Sequence, residues 1–61
     1  MHESERHRII QSAVQDRPVA TVADLVQMTG ASEATIRRDI ATLHVQKKLR
    51  RVRGGAESVA P

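Results

Sequence analysis

Seven of the ten basic residues in this 61-residue chain fall between positions 37 and 53, with one acid, Asp39, among them. That window carries +6, while the rest of the chain is net negative and the whole is +3. Within it, KKLRRVRGGA at 47–56 sets five cations into seven positions and stops at two glycines. SEATIRRDIATL at 32–43 places Arg37 and Arg38 among hydroxyls and alanines. Cations packed this closely repel one another and gain little as a free surface. Beside a phosphate backbone each neutralised phosphate releases counterions, so these residues suit binding to a polyanion with strongly salt-dependent affinity. Nucleic acid is the commoner partner of such a window and an anionic membrane the rarer one.

Other chemistries find less support. Ser32 and Ser58 lack a neighbouring general base, a Gly-rich nucleophile turn, a phosphate loop or paired carboxylates, so neither catalysis nor a cofactor is expected. His2, His7 and His44 are scattered without close acidic or cysteine partners, and no metal site is expected. The chain has no cysteine, which excludes disulfides and cysteine-type zinc sites. It has no aromatic residue either, which disfavours base stacking and hence single-stranded nucleic acid or RNA. MHESERHR offers no apolar run for a signal peptide, and no stretch approaches the roughly 20 apolar residues of a membrane span. LRRVRGG has few apolar residues to insert beside its cations. The expected compartment is the cytoplasm, without membrane attachment.

The elements that must position these cations are legible from periodicity and punctuation. Ile9, Ile10, Ala13 and Val14 form one stripe of a helix from about residue 3 or 4 to residue 15, ended by Pro18. Val19 and Ala20 can form a short edge strand. Thr21 with Asp24 resembles a capping box that starts a second helix, with Val22, Leu25, Val26 and Met28 inward and Gly30 at its left-handed end. Ser32 caps a third helix after a turn of three or four residues, the spacing of a helix-turn-helix. Ile36, Ile40 and Leu43 give that helix its inward stripe. Opposite them, Ala34, Arg38 and Ala41 point within about 40° of straight outward, with Thr35 and Thr42 beside them. Leu49 to Arg53 then suits a strand, Gly54 and Gly55 a two-residue loop of the primed type, and Ala56 to Val59 a returning strand. Leu49 and Val52 have opposite parity, so either a bulge intervenes or one of them lies outside the pairing. The expected fold is mainly α with a small β-hairpin: three helices plus a wing, a winged helix-turn-helix.

In that arrangement the third helix would enter a major groove, presenting Ser32, Ala34, Thr35 and Arg38 to base edges, with Thr42 on the same face. Arg38 is suited to guanine, Ser32 and Thr35 to phosphate oxygens, and the flanking Arg37 to phosphate. In the hairpin, Lys48, Arg51 and Arg53 would meet backbone or minor groove across the narrow tip formed by Gly54 and Gly55. Plainer readings stand beside these. Ser32 can be a cap alone, Thr35 merely solvated, Arg37 or Arg38 paired with an acid such as Glu33, and the glycines only a turn. Asp39 is expected to hold neighbouring arginines. The competing function is a winged helix used for protein interaction or dimerisation, which an apolar outer face on the third helix would favour.

TIRRDI at 35–40, LRRVRGGA at 49–56 and DLVQMTGASEA at 24–34 together resemble the N-terminal domain of DeoR-type bacterial transcriptional regulators. The resemblance implies a winged helix-turn-helix spanning 1–57 that binds double-stranded operator DNA, commonly in repression of sugar or nucleoside metabolism. Ser32, Thr35, Arg37 and Arg38 match its recognition helix, and Arg51, Gly54 and Gly55 match its wing. The family usually has Gly near position 47 and His at position 53, where this chain has Lys47 and Arg53. A left-handed lysine costs about 1 kcal/mol against glycine, so the third helix is expected to end differently or to run slightly longer. The resemblance further implies a linker opening at 58–61 and a C-terminal domain, outside this chain, that senses a phosphorylated sugar and forms a homo-oligomer. Residues 1–57 alone would then be monomeric, bind weakly and respond to no effector.

Overall fold

The computed structural model describes residues 2–59 as three helices and a three-stranded antiparallel sheet, in the order α1 (Glu3–Asp16), β1 (Val19–Thr21), α2 (Val22–Thr29), α3 (Glu33–Val45), β2 (Arg50–Val52) and β3 (Gly55–Glu57). The winged helix-turn-helix expectation holds. Of the expected 58–61 linker, residues 60 and 61 lie outside the described residues.

Local signals set most boundaries. Glu3 and Glu5 place acid in the first turn of α1, where the helix dipole favours it, and Arg17 is already extended ahead of Pro18. At α2 the Thr21 hydroxyl accepts from the Asp24 amide at 3.0 Å while the Thr21 amide donates to Asp24 Oδ2 at 3.3 Å, a complete capping box. Contact with the Thr21 hydroxyl, then the Thr21 amide and Arg17, holds the Asp24 carboxyl below the usual carboxylate range. Gly30 closes α2 at φ 75°. One inward assignment is corrected: Met28 is 46% exposed. It lies about 110° around α2 from the centre of the stripe formed by Val22, Leu25 and Val26, too far to follow them inward.

The end of α3 settles the question posed by Lys47. The helix does not run on. Lys47 takes the left-handed conformation itself, at φ 63°. The Lys47 amide donates to the His44 carbonyl at 2.9 Å and the Lys48 amide to the Leu43 carbonyl at 2.9 Å, the bond pair of a Schellman motif. These bonds and the burial of Leu49 immediately after them outweigh the strain of a side chain at that φ. Lys47→Gly is therefore expected to stabilise the domain by about 0.5 to 1 kcal/mol, the strain relieved being partly offset by the freer unfolded chain. Thermal unfolding followed by circular dichroism measures it.

β3 is the central strand, paired with β1 on one side and β2 on the other. Its register, Val52↔Gly55 against β2 and Thr21↔Gly55 against β1, corrects the expected hairpin. The two-residue loop is Arg53–Gly54, with positive φ at Gly54 alone, the sign pattern of a type II turn and not of a primed one. Gly55 is inside the sheet. A Cβ there would collide with the Ala20 carbonyl oxygen and stand 3.0 Å from the Thr21 Cα, so the second glycine exists for strand approach. Leu49 precedes β2 and is buried, which resolves the parity conflict with no bulge. The core is wholly aliphatic: Ile10, Ala13 and Val14 of α1 meet Leu25, Ile36, Ile40 and Leu43, with Ala20, Leu49 and Ala56 closing it from the sheet side.

Candidate nucleic-acid interface

The orientation of α3 depends on an acid in its middle. Asp39 is the buried charged residue among those described. Its Oδ2 accepts from Arg6 Nε at 2.7 Å, and its Oδ1 accepts from Arg6 Nη2 at 3.2 Å and from His7 Nε2 at 3.1 Å. Asp39 was expected to hold arginines next to it in sequence; it instead ties α3 to α1, because its position on the wheel adjoins the inward stripe. His7, expected to lack an acidic partner, has Asp39 and also Glu3 close by. Burial alone would raise the Asp39 carboxyl, but the hydrogen bonds and charges of Arg6 and His7 outweigh it and leave it below the usual range. Arg6 in turn is held more firmly protonated, first by its hydrogen bond to Asp39. Glu3, His7 and Asp39 bring ligand-type atoms within 4.8 Å of one another. Arg6 occupies both Asp39 oxygens, however, and a cation there would stand beside a guanidinium.

With α3 fixed in this way, its outer face carries Ala34, Arg37 and Arg38 exposed, and Thr35, Ala41 and Thr42 half-buried. Arg38 has no side-chain partner among the described residues. Arg37 does: its Nη2 and Nε donate to Glu33 Oε1 at 2.8 and 3.3 Å. The plain reading of an acid partner for Arg37 is thus realised, although both side chains are more than half exposed and the pair is worth about 0.5 kcal/mol. Ser32 is a true cap, accepting from the Thr35 amide at 3.1 Å and donating to the Thr35 hydroxyl at 2.9 Å.

The wing is docked on the body of the domain. The Val22 amide donates to the Gly54 carbonyl at 2.9 Å, pinning the loop to the start of α2. The Arg51 amide donates to His44 Nδ1 at 3.1 Å, joining β2 to the end of α3. Between α3 and the wing lies a cleft of about 370 Å³ lined by Arg37, Arg51 and Arg53 over a floor of Val22, Ile40, Val52, Gly54 and Gly55. Three arginines, one from α3 and two from the wing, therefore line one concave site. Ser32 and Thr35 face a separate hollow of about 220 Å³ with Arg6, Thr29, Gly30 and Ala31. Ala34, Arg38, Thr42 and Lys48 line neither. Sequence reasoning missed Arg6 and His44 as anchors; their contacts join residues 33 and 7 positions apart, and no local pattern marks the former.

These features define a helix-turn-helix domain with a short wing. The model of the DeoR-like helix-turn-helix domain matches residues 6–61, and the chain belongs to that family, whose members are DNA-binding transcriptional regulators and not enzymes. It is 41% identical over 56 residues to a Bacillus subtilis protein named as the uncharacterized HTH-type transcriptional regulator FruR, covering 92% of this chain and 22% of that protein. It is 39% identical over 59 residues to the HTH-type transcriptional regulator UlaR of Salmonella arizonae and of Salmonella newport, covering 97% of this chain and 24% of each. The chain thus spans about a quarter or less of the length of these relatives. No solved structure matches it. Among the described residues no helix is long and apolar enough to cross a membrane.

Proposed function

We propose that this domain reads double-stranded operator DNA for a cytoplasmic transcriptional repressor, with α3 in the major groove and the wing on the flanking backbone. The observation that carries the reading is that Arg37 of α3 and Arg51 and Arg53 of the wing line one cleft. A phosphate seated there would lie alongside a helix whose exposed Arg38 is free to reach a base edge. The docked wing favours backbone over deep minor-groove insertion, because its tip is held against α2. Val45 is the exposed large apolar residue of α3, and a lone valine is not the patch a protein-docking helix would need.

The wider reading follows the family resemblance: control of sugar or nucleoside metabolism genes, residues 58–61 as a linker, and a C-terminal domain that binds a phosphorylated sugar and assembles a homo-oligomer. The domain itself uses no cofactor or metal in this role. The test is titration of labelled duplex DNA at several salt concentrations. With roughly three to five phosphates neutralised, log K should fall against log salt with a slope of about −2.7 to −4.5. No binding at the lowest salt would overturn the reading.

A further inference from the structure

His44 makes two contacts at the end of α3. Its carbonyl accepts from the Lys47 amide as the helix closes, and its Nδ1 accepts from the Arg51 amide at 3.1 Å. The second contact falls where the sheet leaves a donor over. β2 is an edge strand, and Val52↔Gly55 flanks the two-residue loop as the pair that exchanges hydrogen bonds, so the next residue, Arg51, turns its amide away from β3. His44 meets that amide from the side of α3 that faces the wing. On the helix wheel it lies about 20° from Arg37, two turns back, with Ile40 between them along the axis. Arg37, Ile40 and Arg51 all line the cleft. One hydrogen bond thus ties the Arg51 backbone to the stripe of helix that carries Arg37.

We propose that His44 is a positioning residue for the interface: when neutral it holds β2 against α3 and keeps Arg37 and Arg51 on one cleft, and when protonated it lets that strand edge away from the helix. This rests on the reading of the cleft as a phosphate site. A backbone amide can only donate, so the contact requires Nδ1 to be bare and the imidazole proton to sit on Nε2. Protonation puts a donor on both ring nitrogens, and Nδ1 then faces the Arg51 amide donor to donor. The charged residues that the turn and β2 bring to His44 are Lys47, Lys48, Arg50 and Arg51, beside the negative end of the α3 dipole. Glu33 and Glu57, the acids nearest in α3 and β3, are paired with Arg37 and Arg50. An imidazolium would by itself attract a polyanion, so positioning and charge predict opposite responses to pH.

The test titrates one labelled duplex with the 61-residue chain as wild type, His44→Asn and His44→Ala, at fixed salt, at about pH 8 and about pH 5.5. Asparagine carries Oδ1 where histidine carries Nδ1 and accepts at either pH, whereas alanine accepts at neither. Near pH 8, His44→Asn should bind like wild type and His44→Ala about three- to tenfold more weakly, the scale of one hydrogen bond. Near pH 5.5 the wild type should fall about three- to tenfold below His44→Asn. His2 and His7 are present in all three proteins, so the ratio to His44→Asn at each pH removes their titration. Without DNA, the Arg51 amide resonance should move with pH in the wild type and hold still in His44→Asn. A wild-type ratio that stays at one, an Arg51 resonance indifferent to pH, or His44→Asn as weak as His44→Ala near pH 8 would overturn the inference while leaving DNA binding intact. A ratio that rises as pH falls would also overturn it, making His44 a cation that touches DNA. Failure of the wild type to bind any duplex would overturn the functional reading and this inference together.

Discussion

Arg53→Ala should weaken binding to every duplex by a similar factor, on the order of tenfold at low salt, and reduce the salt slope by about one. Arg38→Ala should behave otherwise. Its loss should flatten the preference among duplexes, removing about 1 to 3 kcal/mol of discrimination at one base position while leaving weak binding largely in place. The contrast follows from location. Arg53 lines the cleft beside Arg37 and Arg51, the place proposed for a phosphate, whereas Arg38, with no side-chain partner among the described residues, stands near the centre of the outer face of α3. Fluorescence anisotropy with enriched and unenriched duplexes across a salt series measures both. A shift in base preference from Arg53→Ala, or uniform weakening from Arg38→Ala, would invert the assignment of the two residues.

Asp39→Asn should destabilise the domain by about 2 to 3 kcal/mol, the range for hydrogen bonds to charged groups that lose their partner. A fully enclosed pair would lose more, but Arg6 keeps 17% of its side chain exposed and can regain water. For a chain of this length, where stability is roughly 0.05 to 0.15 kcal/mol per residue, that is a large share of the total. The melting temperature should drop by about 10 to 20 °C. Acid sensitivity supplies an independent readout. The folded Asp39 carboxyl lies below its unfolded value, so its contribution is fully present above about pH 3.9 and is lost as pH falls through the folded value. Wild type should therefore lose stability more steeply in that acid range than Asp39→Asn. Equal acid limbs in the two proteins would deny Asp39 this role.

What the sequence makes legible here is what is decided within a few residues. The Thr21 and Asp24 box, the left-handed Gly30, the Ser32 cap and the inward run of Ile36, Ile40 and Leu43 all depend on neighbours within one or two turns, and all are where local chemistry puts them. Met28 apart, whose own place on the α2 wheel turns it outward, the expectations that changed were those set by distant partners. Arg6 and Asp39 are 33 positions apart, and no periodicity records that α1 delivers a guanidinium to the flank of α3. Two adjacent glycines looked like a primed loop by themselves, but β1 claims one of them, since Gly55 must let Ala20 and Thr21 pass. Lys47 resisted prediction for a related reason: its strain is local, whereas the burial of Leu49 that offsets it is tertiary. For the interface, the cations and their grouping were visible, and of the two readings of Arg37 the structure shows the pairing with Glu33 while also setting Arg37 on the cleft.

The bond from the Val22 amide to the Gly54 carbonyl, together with the pairing of β3 to β1, has a kinetic consequence. A hairpin tip fastened to the body at two points has little freedom left to surrender on association, so encounter need not wait for a loop to order. Complex formation should then proceed as a single rigid docking step whose rate is governed by long-range attraction, and adjustment of fit falls to the deformable duplex rather than to the protein.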